Sequence, residues 1–163
     1  MSDFTGPGTY RVTPLHAIDQ CLGVWGEGGR PASGTAVRLN NDTVRHDNTI
    51  WEIVAAGGDS GNPRDGVRQF HFLASNSGLM LCAPLDGSTN NCVVATRSVR
   101  HASTRWKLLS AGNGAYYIVS MVTDPVGTRL ALCGQGKNAG AGVEIHPAES
   151  QKDFQFTLKK PNF

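Results

Sequence analysis

The sequence is poor in charged and aromatic residues, and it has no long helix-forming run. Of its 163 residues, 17% are charged and 7% are aromatic, whereas glycine occurs 20 times and proline 8 times. No stretch is rich in Ala, Glu, Lys and Leu together, as long helices usually are. This composition favours one domain of short strands joined by many turns.

Signals for several classes of protein are also missing. The N-terminus lacks a basic start followed by an apolar stretch, so we expect no signal peptide, no membrane insertion and a cytoplasmic location. The net charge is only +2, and basic residues are scattered. We therefore predict no nucleic-acid partner, and we interpret the most basic stretch, residues 97–105, as a solvated loop.

Motifs for catalysis and for metal binding are absent as well. The five histidines are far apart in the sequence, and neither HExxH nor GxSxG occurs. We therefore predict that the protein is not an enzyme. No CxxC spacing indicates a zinc site, and we expect no cofactor. In a cytosolic protein the four cysteines are expected to be thiols, although Cys82 and Cys92 are close enough in sequence to pair if oxidised.

A short pattern recurs about every 50 residues, which is the signature of a repeat architecture. The segments NTIWEIV, STRWKLL and QKDFQFTL each place polar residues before an aromatic residue. We align Trp51, Trp106 and Phe154 as the closing aromatic residues of three repeats.

Two further markers support these repeats. Cys21, Cys82 and Cys133 precede the three aromatic residues at matching places. The segments TYRVTP, QFHFLAS and AYYIVS alternate apolar and polar residues, as half-buried strands do. We predict an all-β protein, a β-trefoil of about twelve strands, with half of them in a closed barrel and half in hairpins that cap it. A β-propeller is disfavoured because three blades are too few. The predicted domain spans residues 1–163, with repeats at about 7–57, 66–110 and 114–160.

The repeat resembles the ricin B-chain type of β-trefoil lectin over about residues 7–160. The segments GTYRVTP, VWGEGG, NTIW and STRW are similar to the small cytosolic lectins of filamentous fungi of the Sclerotinia agglutinin type. The resemblance implies a carbohydrate-binding protein for galactose or N-acetylgalactosamine on glycoproteins or glycolipids. With one site per chain, it also implies a homodimer, because cross-linking of glycans needs two sites.

The resemblance places the sugar-binding site in the first repeat. Gly23 stands where the family often has aspartate, so the usual carboxylate is missing. Trp25 is expected to stack on the sugar ring, and its neighbouring glycines leave room. Polar side chains from later in the repeat are expected to bind the hydroxyl groups. The predicted site residues are Gly23, Trp25, Gly26, Arg38, Asn40 and Asn48.

Each of these residues also has a simpler interpretation. Trp25 can cover the base of the barrel, and Asn48 can be a turn residue bonded to its own backbone. Arg38 can form a surface ion pair with Glu27 or Asp47.

The other two repeats offer fewer candidates. In the second, Pro84 and Ser103 take the positions of interest, with Asp86 nearby. In the third, Gln135 follows Cys133, and His146 and Gln151 are close in sequence.

Two other functions stay open. A trefoil protease inhibitor would act through an exposed loop, either 57–67 with Arg64 or 84–91, although a glycine-rich loop is less rigid than tight inhibitors favour. A structural interaction protein with decayed sugar sites is the other, because position 23 lacks the aspartate. Free galactose would abolish the surface binding of a lectin and leave protease inhibition unchanged.

Overall fold

The computed structural model describes residues 4–25, 30–41, 47–56, 68–84 and 91–161, and within them it contains strands and 3₁₀ turns but no α-helix. The thirteen strands are β1 Gly8–Pro14, β2 Cys21–Gly23, β3 Thr35–Ala36, β4 Arg38–Asn40, β5 Trp51–Ala55, β6 Gln69–Ala74, β7 Met80–Cys82, β8 Val93–Ala95, β9 Trp106–Gly112, β10 Ala115–Thr123, β11 Arg129–Gly134, β12 Val143–Pro147 and β13 Phe156–Lys159. The 3₁₀ turns are Asp47–Thr49, Ala102–Thr104 and Lys152–Phe154. We call β1–β5 the first repeat, β6–β9 the second and β10–β13 the third.

Six strands form a closed barrel, two from each repeat. The antiparallel pairs run β1–β5, β5–β6, β6–β9, β9–β10, β10–β13 and β13–β1. Every barrel strand therefore has a partner on both sides, and the barrel has no open edge.

Three hairpins cap the barrel at the end where the first strand of each repeat finishes. They are β2–β4, β7–β8 and β11–β12. The first repeat has one strand more than predicted because its third strand changes partners at Val37. Before Val37, β3 pairs with β8, and after it, β4 pairs with β2. Val37 itself donates its N–H to the carbonyl of Cys92 at 3.0 Å.

The barrel core is built from equivalent residues of the three repeats. Trp51 and Trp106 are fully buried. Each donates its indole N–H to a leucine carbonyl, that of Leu22 at 2.9 Å and that of Leu81 at 3.1 Å. These bonds fasten the hairpins to the barrel, since each tryptophan lies on a barrel strand and each leucine on a hairpin strand.

A ring of three aromatic residues fills the other end of the barrel. Tyr10, Phe70 and Tyr116 come from the first strand of each repeat, and the ring of Phe4 lies against all three, with centroids 5.3 to 5.6 Å apart. The hydroxyl of Tyr10 also donates to the carbonyl of Gly6 at 2.7 Å, which holds the segment that carries Phe4. Phe4 therefore closes this end of the barrel.

The strand register corrects one sequence alignment. Tyr10 lies opposite Trp51, Phe70 opposite Trp106, and Tyr116 opposite Phe156. The closing aromatic residue of the third repeat is therefore Phe156, and the choice of Phe154 was wrong by two residues. Phe154 is also buried, but it ends a 3₁₀ turn and packs in a small separate cluster.

The alignment of the first cysteine is wrong in the same way. Because Leu22 and Leu81 accept the two indole hydrogen bonds, the residues that follow them, Gly23 and Cys82, are equivalent. In the third repeat Leu132 pairs with Ile145, so the equivalent residue there is Cys133. Cys21 therefore lies two positions earlier than its supposed counterparts.

The basic stretch 97–105 is only partly the solvated loop that we predicted, because residues 98–102 are exposed but Arg105 is not. The Arg105 side chain is buried and donates to Gln69 Oε1 and to the carbonyls of Ala56 and Val99, all within 2.9 Å. The guanidinium of Arg105 therefore links three segments of the chain and does not face the solvent.

The four cysteines are buried, and none forms a disulfide. Burial is the largest cause that raises the pKa of the Cys92 thiol far above its usual value. Within the described part of the chain, no helix is long and apolar enough to cross a membrane.

Candidate functional site

In each repeat, the second strand and the 3₁₀ turn before the last strand meet at the surface. In the first repeat Val24 N–H donates to the carbonyl of Asn48 at 3.0 Å. In the second, Ala83 N–H donates to the carbonyl of Ser103 at 2.8 Å. These contacts define three equivalent surface sites, which differ in their side chains.

The site of the first repeat is built around Gly23. A Cβ atom at Gly23 would lie 2.6 Å from the carbonyl oxygen of Asn48 and 2.6 Å from Cη2 of Trp25. The indole ring therefore lies over the glycine, in the space that a side chain at this position would need. Trp25 remains half-buried, so part of its ring surface is open to solvent.

A second amide orients Asn48. Asn76, from the turn after β6, donates its Nδ2 to Asn48 Oδ1 and to the carbonyl of Val24, both at 3.1 Å. The Asn48 side chain thus bonds across repeats rather than to its own backbone. Because Oδ1 accepts from Asn76, the Nδ2 group of Asn48 is the end left to donate to a ligand. Asn76 Oδ1 is buried without a partner among the described residues.

A pocket adjoins this amide pair on the side of the second repeat. Its volume is about 480 Å³, and most of its lining residues carry hydroxyl, amide or guanidinium groups. They include Arg30, Ser33, Ser75, Asn76 and Thr96.

Two of the remaining predicted residues, Arg38 and Asn40, lie on the same face as Gly23. Arg38 pairs with Gly23 across the β2–β4 hairpin, and Asn40 pairs with Cys21. Residues that are opposite each other in a hairpin share a face, so Arg38 and Asn40 flank the glycine. Arg38 is exposed and Asn40 is half-buried. Gly26 lies outside the described residues, so its predicted role stays a prediction.

The equivalent face of the second repeat is apolar. Met80, Cys82 and Ala95 form a small hydrophobic cluster there. Arg97 takes the role that Asn76 has in the first repeat, because it donates to the carbonyl of Ala83 and to Ser103 Oγ, both at 3.1 Å. The polar groups of this site thus bond one another.

The site of the third repeat carries acids and imidazoles. Asp153 holds the position of Asn48, and its Oδ2 accepts from the thiol of Cys133 at 3.5 Å. Burial and, after it, the charge of Asp153 raise the pKa of Cys133 to about 12, so the thiol stays protonated. On the neighbouring strand, His146 Nε2 donates to Glu144 Oε1 at 2.8 Å.

A histidine from the first repeat completes this third site. His16 Nε2 lies 2.7 Å from the carbonyl oxygen of Gly136. Because a carbonyl oxygen only accepts, Nε2 carries a hydrogen, and in the neutral ring Nδ1 is an acceptor. The ring packs on Gly134, where a Cβ atom would lie 2.7 Å from His16 Cε1.

Sequence reasoning missed Asn76, His16 and Asp153 as site residues. The first two come from the repeat that follows each site around the barrel, so no motif within one repeat contains them. Asp153 would have been found by aligning Phe156 with Trp51 and Trp106, since it stands three residues before Phe156.

Other predicted features fall partly outside the structure. The proposed inhibitory loop 57–67, with Arg64, lies outside the described residues, and so does most of 84–91, including Asp86.

Among the residues that the structure describes, no group of three or more His, Cys, Asp or Glu side chains is placed to hold a metal ion.

The barrel, the three capping hairpins and the threefold sites define a β-trefoil, and solved structures of this fold are similar to the chain. A designed threefold-symmetric protein, ThreeFoil, shares 21% identity at a TM-score of 0.72, with 92% of this chain and 96% of that chain covered. The ricin B-like lectin of Macrolepiota procera, solved with lactose, shares 14% identity at a TM-score of 0.72, with 98% and 100% covered. The Rhizoctonia solani agglutinin shares 16% identity at a TM-score of 0.69, with 97% and 98% covered.

These likenesses confirm the predicted fold, with ricin B-like lectins among the similar structures. No protein-family model matches the chain, and no curated protein matches its sequence significantly.

Proposed function

We propose that the protein is a lectin that binds glycans ending in galactose or N-acetylgalactosamine and performs no chemistry on them. The observation that carries this proposal is the site of the first repeat. Three separate segments bring together a half-buried indole, an oriented amide and an exposed guanidinium around Gly23. A fold similar to that of a lectin solved with lactose, a galactoside, is in keeping with it.

The chemistry of this site fits a neutral sugar. The apolar face of a galactose ring stacks on a flat aromatic surface, which the exposed part of Trp25 offers. Asn48 Nδ2 and the guanidinium of Arg38 supply donors for hydroxyl oxygens, and the half-buried Asn40 lies beside them. With few direct bonds, the expected affinity is weak, about 1 mM to 1 µM.

The test compares the wild type with Trp25→Ala and Trp25→Phe on a glycan array and by calorimetry with lactose. We expect Trp25→Ala to lose at least about tenfold in affinity, or about 1.4 kcal/mol, because the stacking surface is gone. Trp25→Phe keeps a ring and should retain most of the binding. An unchanged affinity in Trp25→Ala would remove the first repeat as the site. The absence of any galactose-type binding by the wild type would remove the proposal.

We further propose that the protein acts as a cytoplasmic homodimer of the Sclerotinia agglutinin type. Four unpaired buried cysteines are in keeping with a reducing compartment. A dimer would present two copies of the first-repeat site, and such bivalency raises the apparent affinity for a glycan-bearing surface. Light scattering on the eluting peak of a size-exclusion column tests the dimer, and a monomer mass across micromolar concentrations would reject it.

A further inference from the structure

The third repeat contains a pocket whose polar groups are incompletely satisfied. The pocket has a volume of about 450 Å³ and is lined by Leu15, His16, Lys137, Lys152 and Asp153. Two buried atoms on its lining residues, Asp153 Oδ1 and His16 Nδ1, have no hydrogen-bond partner among the described residues. A buried polar atom without a partner costs free energy, so both atoms call for a donor from outside the protein.

The other bonds of these two side chains fix them in place. Asp153 Oδ2 is held by the thiol of Cys133, and His16 Nε2 is held by the carbonyl of Gly136. The close packing of the His16 ring on Gly134 further limits its movement. The free acceptor on each side chain is therefore preorganised, which lowers the entropic cost of binding.

The bottom and the rim of the pocket favour different chemical groups on a ligand. Two acceptors at depth suit two hydroxyl groups of one ligand, since a hydroxyl donates readily. At the rim stand two exposed lysines, Lys137 and Lys152, against the single carboxylate of Asp153. A cationic ligand would be repelled by the lysines, whereas an anionic group would be attracted. Only the ligand's hydroxyl end need approach the aspartate.

We propose that the third repeat holds a second binding site, for an acidic sugar, in which two hydroxyl groups bind Asp153 and His16 and a carboxylate binds the lysine rim. This site differs from that of the first repeat, which offers an aromatic ring and hydrogen-bond donors around Gly23. It is independent of the proposed galactose site, because the two share no residue.

The test uses a matched pair of ligands, methyl glucuronide and methyl glucoside, which differ only in a carboxylate against a hydroxymethyl group. Binding is followed by the amide chemical shifts of residues around Gly136 and Asp153 in the full chain. We expect the glucuronide to bind at least about tenfold more tightly, since the lysines form charge-assisted bonds with it. Added salt should narrow the difference.

Three variants separate the contributions. Asp153→Asn keeps the shape but removes the carboxylate, and it should weaken both ligands. The double variant Lys137→Gln/Lys152→Gln should weaken the glucuronide alone and so equalise the two affinities. Trp25→Ala should leave glucuronide binding unchanged while it disables the first repeat. Melting curves of each variant verify that the fold is intact.

Several outcomes would overturn the proposal. Equal affinities of the two ligands for the wild type would reject the acidic class. Unchanged binding in Asp153→Asn would reject the site, and the absence of shifts with either ligand would mean that water alone serves the two acceptors. If the wild type bound lactose but not methyl glucuronide, this inference would be rejected and the proposed lectin function would stand.

Discussion

The first and third repeats have the same strand arrangement, but they present different functional groups at the equivalent surface site. In the first, a glycine lies under an indole, beside an amide and a guanidinium. In the third, a protonated thiol holds the equivalent position and bonds Asp153, while the His146–Glu144 pair and the ring of His16 lie on neighbouring segments. The core positions are nearly the same in both, because the barrel and its indole or phenyl contacts require them. The outward positions are free of this requirement, so one repeat can specialise without disturbing the fold.

The largest effect should come from adding one methyl group at a tightly packed glycine of either site. In Gly23→Ala the new Cβ would lie 2.6 Å from both Trp25 and the Asn48 carbonyl, so the indole must leave its place. We expect lactose affinity to fall at least about tenfold and the free energy of unfolding to fall by about 1–3 kcal/mol. Calorimetry and urea unfolding measure the two quantities.

The parallel change in the third repeat is at Gly134, the residue after the central Cys133, because the new Cβ of Gly134→Ala would push against His16 at 2.7 Å. It should abolish glucuronide binding and spare lactose, and Gly23→Ala should do the reverse. Gly8→Ala is the control, since its Cβ would make only ordinary contact at 3.4 Å with Tyr10. If either site variant weakened both ligands equally, the two sites would not be independent.

A smaller effect should follow from releasing the Asn48 amide. Asn76→Ala removes the donor to Asn48 Oδ1 and to the Val24 carbonyl. We expect a loss of about 1–2 kcal/mol in stability and about a fivefold loss in lactose affinity, because Asn48 can then rotate. The exposed Asn138, outside the first-repeat site, provides the control variant Asn138→Ala. Unaltered lactose affinity in Asn76→Ala would mean that Asn48 needs no orientation.

The last effect is absent at neutral pH and develops only above pH 9, and it concerns the central position itself, which carries a titratable group in the third repeat and none in the first. Burial raises the pKa of Cys133 from near 9 to about 12. A thiol with a raised pKa stabilises the folded state fully below pH 9, and this contribution is lost as the pH rises toward 12. Stability should therefore fall less steeply over this range in Cys133→Ala than in the wild type. Urea unfolding at a series of pH values checks this, and identical slopes would contradict it.

The fold could be predicted because the core residues recur at a regular spacing that is visible in the sequence itself. The strand that begins at Trp51 alternates buried and outward residues, and a polar turn precedes both Trp51 and Trp106. The error at Phe154 arose because KDFQF offers two aromatic residues two positions apart, and both are buried. A shift of two preserves the alternation, so only the cross-strand pairing of Phe156 with Tyr116 distinguishes them.

The candidate site was less predictable because it is assembled across repeats. Gly23, Trp25 and Asn48 belong to one repeat and were found from the resemblance. Their partner Asn76 lies 28 residues beyond Asn48, in the turn that the closed barrel brings alongside. His16 reaches the third site only because the first and last strands pair and close the barrel. Such contacts form only when the barrel closes, and a pattern within one repeat of the sequence does not show which segments the closed barrel brings together.

The plug formed by Phe4 has a practical meaning for experiments on a surface. Phe4 seals the end of the barrel where the first strands begin, whereas both proposed sites lie at the hairpin end. A tether attached ahead of Phe4 would leave the molecule from the face remote from its ligands. Protein immobilised through such a tether would point both sites toward the solution, so surface-based affinities should match those measured with the free protein.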